Sequence, residues 1–283
     1  MHHFPIGIFD SGIGGLSVLQ ALRQELPQER LVYVADSGHA PYGERDATFV
    51  QQRTGAIARH LRAQHGIKAL VIACNTATAA AVEQLRREMP DLLLIGVEPA
   101  LKPAALSSQT HHVGVMATRG TVGSTRFARL LAEHSQHTRF SVQACDGLAL
   151  AIERATEEPA PARLQDSALW AHCARHIEAL GSFGREAGQI DTLVLGCTHY
   201  IFVKDELRAL LGPDIALIDT GTAVARQVRR LLAQAGLLAP EAAPAGAAPQ
   251  IQLHATGGLS SLQAAAQRWL QLPAGSCAHI EIS

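Results

Sequence analysis

Short unbroken apolar runs alternate with stretches of helical periodicity along the whole chain. The runs at residues 6–9, 31–35, 69–73, 92–96, 113–116, 140–143, 192–195, 216–218 and 251–254 predict strands. The stretches at 15–25, 47–65, 77–88, 122–133, 168–180 and 222–235 predict helices. Strands that are apolar throughout, rather than at every second position, are buried on both faces. Their alternation with helices implies an α/β protein with doubly wound parallel sheets. Reactive groups in such sheets sit just beyond the carboxyl ends of the strands. Residues 239–249, "APEAAPAGAAP", break the pattern and read as an exposed linker. The strand and helix that follow, within 251–272, must pack onto a domain already formed.

The pattern also echoes itself. "IKALVIACNTATAA" (67–80) resembles "IDTLVLGCTHYIFV" (190–203). Each is a buried strand, a small residue and then a cysteine, Cys74 or Cys197. A weaker echo joins "IGIFDSGIGGLSV" (6–18) to "VGVMATRGTVGST" (113–125), both strands entering a turn that holds glycine and hydroxyl side chains. Two related halves, each with a thiol at a strand end, could face each other across a cleft.

Composition narrows what such thiols could do. At 283 residues with 47% apolar content the chain suits two domains with buried cores. Its 24 basic and 25 acidic residues offer no electrostatic case for nucleic acid or an anionic membrane. The N-terminus lacks the apolar core of a signal peptide, and no apolar stretch reaches the roughly 18 residues of a membrane span. The five cysteines, Cys74, Cys145, Cys173, Cys197 and Cys277, are odd in number and form no C-x-x-C. That argues against a disulfide frame or a zinc site of standard spacing, and the cytoplasm is the compartment expected for free thiols. Cys145, Cys173 and Cys277 read as small structural hydrophobes.

Three uses of the pair compete. A cysteine hydrolase needs one thiol with a histidine and an orienting acid, which leaves Cys74 idle. A metal site needs more ligands; His172 and His176 have i, i+4 spacing, but their amphipathic helix favours a surface or core role. Acid–base work on both faces of one carbon uses both thiols. Each cysteine is expected to open a helix, whose free N–H groups favour thiolate and carboxylate. Ser11, Asn75, Thr76 and Thr198 are compact groups suited to an amino acid's polar ends. Asp10 could pair with an ammonium or a thiol, or could serve as a helix cap. No cofactor is expected. The lysines, Lys68, Lys102 and Lys204, lie in no phosphate-binding context, and Ser17 takes the third-glycine place of the dinucleotide fingerprint.

Along nearly its whole length the chain resembles the bacterial glutamate racemases. The matching blocks are "GIFDSGIGGLSV" (7–18), "YVADSGHAPYGER" (33–45), "ACNTATA" (73–79), "GVEPA" (96–100), "ATRGTV" (117–122), "LGCTHY" (195–200) and "DTG" (219–221). Aspartate racemases share the two thiols but lack "FDSGIGG" and "APYGER". The resemblance implies a pyridoxal-independent two-base conversion between L- and D-glutamate that supplies peptidoglycan synthesis. It implies that Cys74 takes the α-proton from D-glutamate and Cys197 from L-glutamate, assisted by Asp10 and His199, with Glu153 as a third acid. It places Asp10, Ser11, Tyr42, Gly43, Asn75, Thr76, Thr198 and His199 at the substrate, in part through a turn stiffened by Pro41. Asp36, Ser37, Thr118 and Thr121 follow as second-tier contacts. It further implies two α/β domains related by a pseudo-two-fold axis, with the active site between them. Residues 1–100 and 215–283 are assigned to the first domain and 101–214 to the second. Glutamate is the expected partner, and a homodimer is compatible with the family. The DNA gyrase inhibition known for some members is a rival, non-catalytic role on which the neutral charge is silent.

Overall fold

The structure is a computed structural model that describes residues 3–159, 161, 163–240 and 251–283; the expected linker lies outside the described residues from 241 to its end. The chain begins β1 (Ile6–Asp10), α1 (Leu16–Glu25), β2 (Leu31–Ala35), α2 (Ala47–His65), β3 (Ala69–Ile72), α3 (Asn75–Glu88), β4 (Leu93–Gly96) and α4 (Leu101–Ser107). It continues β5 (His112–Ala117), α5 (Arg119–Val122), α6 (Thr125–His134), β6 (Arg139–Ala144), α7 (Leu148–Glu157), α8 (Ala168–Leu180), β7 (Thr192–Leu195), α9 (Lys204–Leu211) and β8 (Ala216–Ile218). It ends α10 (Gly221–Gln234), β9 (Ile251–Ala255), α11 (Leu259–Leu270) and β10 (Cys277–His279).

Two all-parallel sheets form, ordered β10-β9-β2-β1-β3-β4 and β6-β5-β7-β8. The run β2-β1-β3-β4 has the same order as β6-β5-β7-β8, so β1 corresponds to β5 and β3 to β7. The echo in the sequence is therefore an echo in topology. Central strands β1, β2, β3, β5 and β7 are buried at every position, as their unbroken apolar runs require.

Local signals set the helix ends. Asp46 caps α2 by accepting from Phe49 N–H at 2.9 Å, and Gly66 stops it in the left-handed region at φ 59°. The helix expected over 122–133 is α6 and begins later, because Ser124 caps it through Phe127 N–H, and the separate short helix α5 precedes it. Two further expectations are corrected. Residues 216–218, assigned with the first domain, pair with β7 in the second sheet, and the chain crosses back only at α10. The short strand β10 was not expected, since "CAH" carries no apolar run and lies at a sheet edge. Lys68 is engaged in a buried ion pair with Glu29 at 2.5 Å.

The halves meet with the carboxyl ends of their strands facing one cleft. Behind it, α11 of the first half packs on α7 of the second, and α1 packs on the turn at 198–203.

Candidate active site

The cleft floor is built from four strand ends. Asp10 ends β1 and Ser11 follows it, Cys74 follows β3, Thr118 follows β5 and Cys197 follows β7. The two cysteines have nearly the same backbone, φ −131° and ψ 119° for Cys74 against φ −140° and ψ 139° for Cys197. Cys74 does open a helix, α3. Cys197 opens instead a 3-10 turn, Thr198–Val203, before α9 begins. The tighter turn folds His199 back beside its own thiol.

Each sulfur has its own neighbours. Cys74 Sγ lies 3.9 Å from Ser11 Oγ, which donates to Asp10 Oδ1 at 3.0 Å. Ser11 N–H donates to the same oxygen at 2.5 Å. On the other side Cys197 Sγ lies 3.7 Å from His199 Nδ1, and His199 Nε2 lies 2.7 Å from Glu153 Oε1. Glu153 Oε1 also accepts from Ile13 N–H at 2.7 Å, so it ties the first domain's turn to the second domain's histidine. Glu153 thus faces the cleft, not solvent.

Burial governs the charges here. It pushes the Cys74 thiol well up, and the Asp10 carboxylate adds to the rise. It also raises Asp10, against the opposing pull of His199 and the Thr198 hydroxyl. For His199 burial works to lower the pKa, but the hydrogen bonds to Cys197 and Glu153 outweigh it and hold the imidazole well above its ordinary range. Burial thus favours the protonated thiol at Cys74, and the partners of His199 favour its protonated form.

The glycines of the first turn make this meeting possible. A Cβ on Gly12 would lie 1.9 Å from Glu153 Oε1, and one on Gly14 would lie 2.3 Å from His199 Nδ1. Their role is close approach between domains, not phosphate binding.

Two strand-end thiols, each backed by an acid or base and facing one cleft, suit proton transfer at a carbon held between them. The family model for Asp/Glu/Hydantoin racemases matches residues 14–228. The chain belongs to this racemase family. It is 50% identical over 242 residues to a glutamate racemase of Ectopseudomonas mendocina (strain ymp), covering 85% of this chain and 87% of the relative. It is 49% identical over 241 residues to one of Cupriavidus pinatubonensis, covering 85% and 84%. Glutamate racemase isoform RacE1 from Bacillus anthracis superposes with TM-score 0.83 at 31% identity, over 99% of this chain and 98% of that one. The Escherichia coli glutamate racemase, solved with L-glutamate and the activator UDP-MurNAc-ala, superposes with TM-score 0.81 at 28% identity, over 99% of both.

The other expected residues of this racemase divide into two groups. Pro41, Tyr42, Gly43, Asn75, Thr76, Thr118 and Thr198 line the cleft with Asp10, Ser11 and His199. Asn75 Nδ2 is buried and unpartnered by protein, a donor available to a carboxylate. Thr76 and Thr118 join across the cleft, Oγ1 to Oγ1, at 2.9 Å. Asp36, Ser37 and Thr121, expected as second-tier contacts, do not line it. Asp36 is taken up behind the wall by Arg53, Thr256 and the Tyr42 hydroxyl. The Ser37 hydroxyl accepts from Gly257 N–H at 3.2 Å, and Thr121 Oγ1 lies 2.9 Å from Thr118 Oγ1, which it braces.

Sequence reasoning missed several lining groups. Cys145, read as remote from polar groups, is buried in the cleft wall, where burial and Cys197 push its thiol up. Its place at the end of β6, another strand end, was the available signal. Glu44, Arg119, Asp146 and Gly147 line the rim and had no signal beyond their neighbours. The His172–His176 pair is bridged by Arg175, with Nη2 at 3.2 Å from His172 Nδ1 and 3.4 Å from His176 Nε2. A guanidinium there repels a metal ion. Among the described residues no group of three or more His, Cys, Asp or Glu is arranged to hold one.

Proposed function

We propose that this chain interconverts L- and D-glutamate by a cofactor-independent two-base mechanism and so supplies D-glutamate for peptidoglycan. The observation that carries the reading is the equivalence of Cys74 and Cys197, on matching strand ends of two matching sheets that share one cleft. From L-glutamate, Cys197 takes the α-proton and the Cys74 thiol delivers one to the opposite face. From D-glutamate the roles exchange. A Cys74 kept protonated by burial is ready to act as the acid of the first direction. His199, its pKa raised by the hydrogen bonds to Cys197 and Glu153, is placed to offer a positive charge to the sulfur of Cys197. Asp10 and Ser11 suit the substrate ammonium, and Asn75, Thr76 and Thr118 suit its carboxylates. Glutamate as substrate is supported by the names of the relatives and by the L-glutamate bound to the Escherichia coli structure.

The test is replacement of each thiol. Cys74→Ala and Cys197→Ala should each abolish racemisation from both enantiomers, followed by circular dichroism. A Cys74→Ala protein that racemised at the wild-type rate would sink the two-base reading, and turnover of aspartate alone would sink the choice of glutamate. The proposed setting is the cytoplasm, where free thiols persist. Among the described residues no helix is long and apolar enough to cross a membrane. A homodimer belongs to the same proposal and is read by sedimentation.

A further inference from the structure

The chemistry above uses the buried floor of the cleft and leaves its rim unassigned. At the rim, the Tyr42–Glu44 turn of the first domain meets the start of α7 in the second. Glu44 is exposed, and its Oε1 accepts from Gly147 N–H at 3.3 Å. Gly147 precedes the first turn of α7 in the left-handed region, at φ 77°. Unpaired amides and the helix dipole favour a carboxylate at that end. Beside this contact Arg119 pairs with Asp146, and Glu44 adds its own pull on Arg119. All four residues line the cleft.

The neighbours of Glu44 already have work that keeps them off the rim. The Arg45 guanidinium lies over the Phe49 ring at 5.1 Å, and Asp46 caps α2. Of Glu44, Arg45 and Asp46, Glu44 is the one that reaches across to α7. What it joins is specific. Its turn carries Tyr42 and Gly43 on the cleft wall, and α7 carries Glu153, which orients His199.

We propose that Glu44 is a positioning residue that draws the Tyr42–Glu44 turn onto α7 over bound glutamate. It sets how tightly substrate is held and does not touch the reacting atoms. This inference rests on the racemase reading above. The contact is exposed and charge-assisted, so it is weak alone, as a rim that opens for every product must be.

The experiment compares wild type, Glu44→Ala and Glu44→Gln with both enantiomers by circular dichroism, and follows amide exchange at Gly147. Glu44→Ala should raise KM for each enantiomer by roughly two- to five-fold, the scale of one exposed helix-terminal charge contact, with kcat and melting temperature held. Glu44→Gln keeps an acceptor oxygen and should recover much of the loss. Glutamate should slow exchange of Gly147 N–H in wild type but not in Glu44→Ala. An unchanged KM overturns the proposal, as does a fall in kcat at constant KM, which would place Glu44 in the chemistry. A wild type inert towards glutamate defeats the functional reading instead, and the effect of Glu44→Ala on Gly147 exchange without substrate then still tests the contact.

Discussion

The Thr198 hydroxyl donates to Asp10 Oδ2 across 2.7 Å, joining the residue after one thiol to the carboxylate beside the other. Asp10 and His199 are therefore not separate assistants, as the sequence suggested. Thr198 ties Asp10 to the backbone segment that carries both Cys197 and His199. Asp10 is fully buried, so each hydrogen bond to it counts for more than it would at the surface.

Removing that link tests its role. Thr198→Val keeps the shape and leaves Asp10 Oδ2 without its donor, a change worth about 1–3 kcal/mol for a buried group. L- and D-glutamate have equal free energies, so kcat/KM must fall equally in both directions. The individual kcat values are free to differ. The larger loss in kcat is expected from D-glutamate, for which Cys74 is the proposed base and Asp10 its neighbour through Ser11. Initial rates from each pure enantiomer measure this; wild-type kcat in both directions would show that the link is idle.

Asp36 makes a prediction about pH. Burial works to raise its pKa, but hydrogen bonds from Arg53, Tyr42 and Thr256 outweigh burial and hold the carboxylate below its ordinary range. A depressed acid stabilises the fold above the unfolded value, about pH 4, and that stability is lost as pH falls through the lower folded value. Asp36→Asn should therefore cost about 2–3 kcal/mol at neutral pH, where it removes the charge partner of a nearly buried Arg53 and leaves it the Ile282 carbonyl alone. The gap from wild type should narrow as pH drops below about 4. Urea unfolding across that range measures it. A gap independent of pH would show that packing, not charge, is lost. KM should rise as well, because Tyr42 loses the acceptor that holds its turn.

The same residue shows where the sequence was legible. Cys74, Cys197, Asp10 and Thr118 were readable because continuous apolar strands mark their own ends, and a parallel sheet presents those ends on one side. Asp36 also ends a strand, yet it points at Arg53 on α2, and a strand-end acid reads the same in either case. Glu44 and Gly147 lie 103 residues apart, and nothing local announces their contact. Cys145 follows an expected strand but was read as a structural hydrophobe, because β6 is a half-exposed edge strand outside the echo that marked Cys74 and Cys197. The Ser11–Ser17 turn was legible as glycine-rich, but its reason lies in the other domain.

Gly14→Ala tests that reason. Gly14 is not among the residues with left-handed backbone, so alanine suffers no conformational penalty there. The objection is steric. The new Cβ would sit 2.3 Å from His199 Nδ1 and 2.6 Å from Thr198 Oγ1, neither of which is the end of a long flexible chain. His199 cannot swing aside without leaving Glu153 and Cys197, and Thr198 cannot without releasing Asp10. Relief must come from separating the first domain's turn from the 198–203 turn. Overpacking of this kind costs about 1–3 kcal/mol of stability. The loss of kcat should be far larger than that of stability, on the order of 100-fold, since a shift of about 1 Å disturbs both sides of the proton path. Thermal unfolding and kcat measured on one sample separate the two effects. A stable Gly14→Ala protein with wild-type kcat would mean that the domains need not approach this closely during turnover.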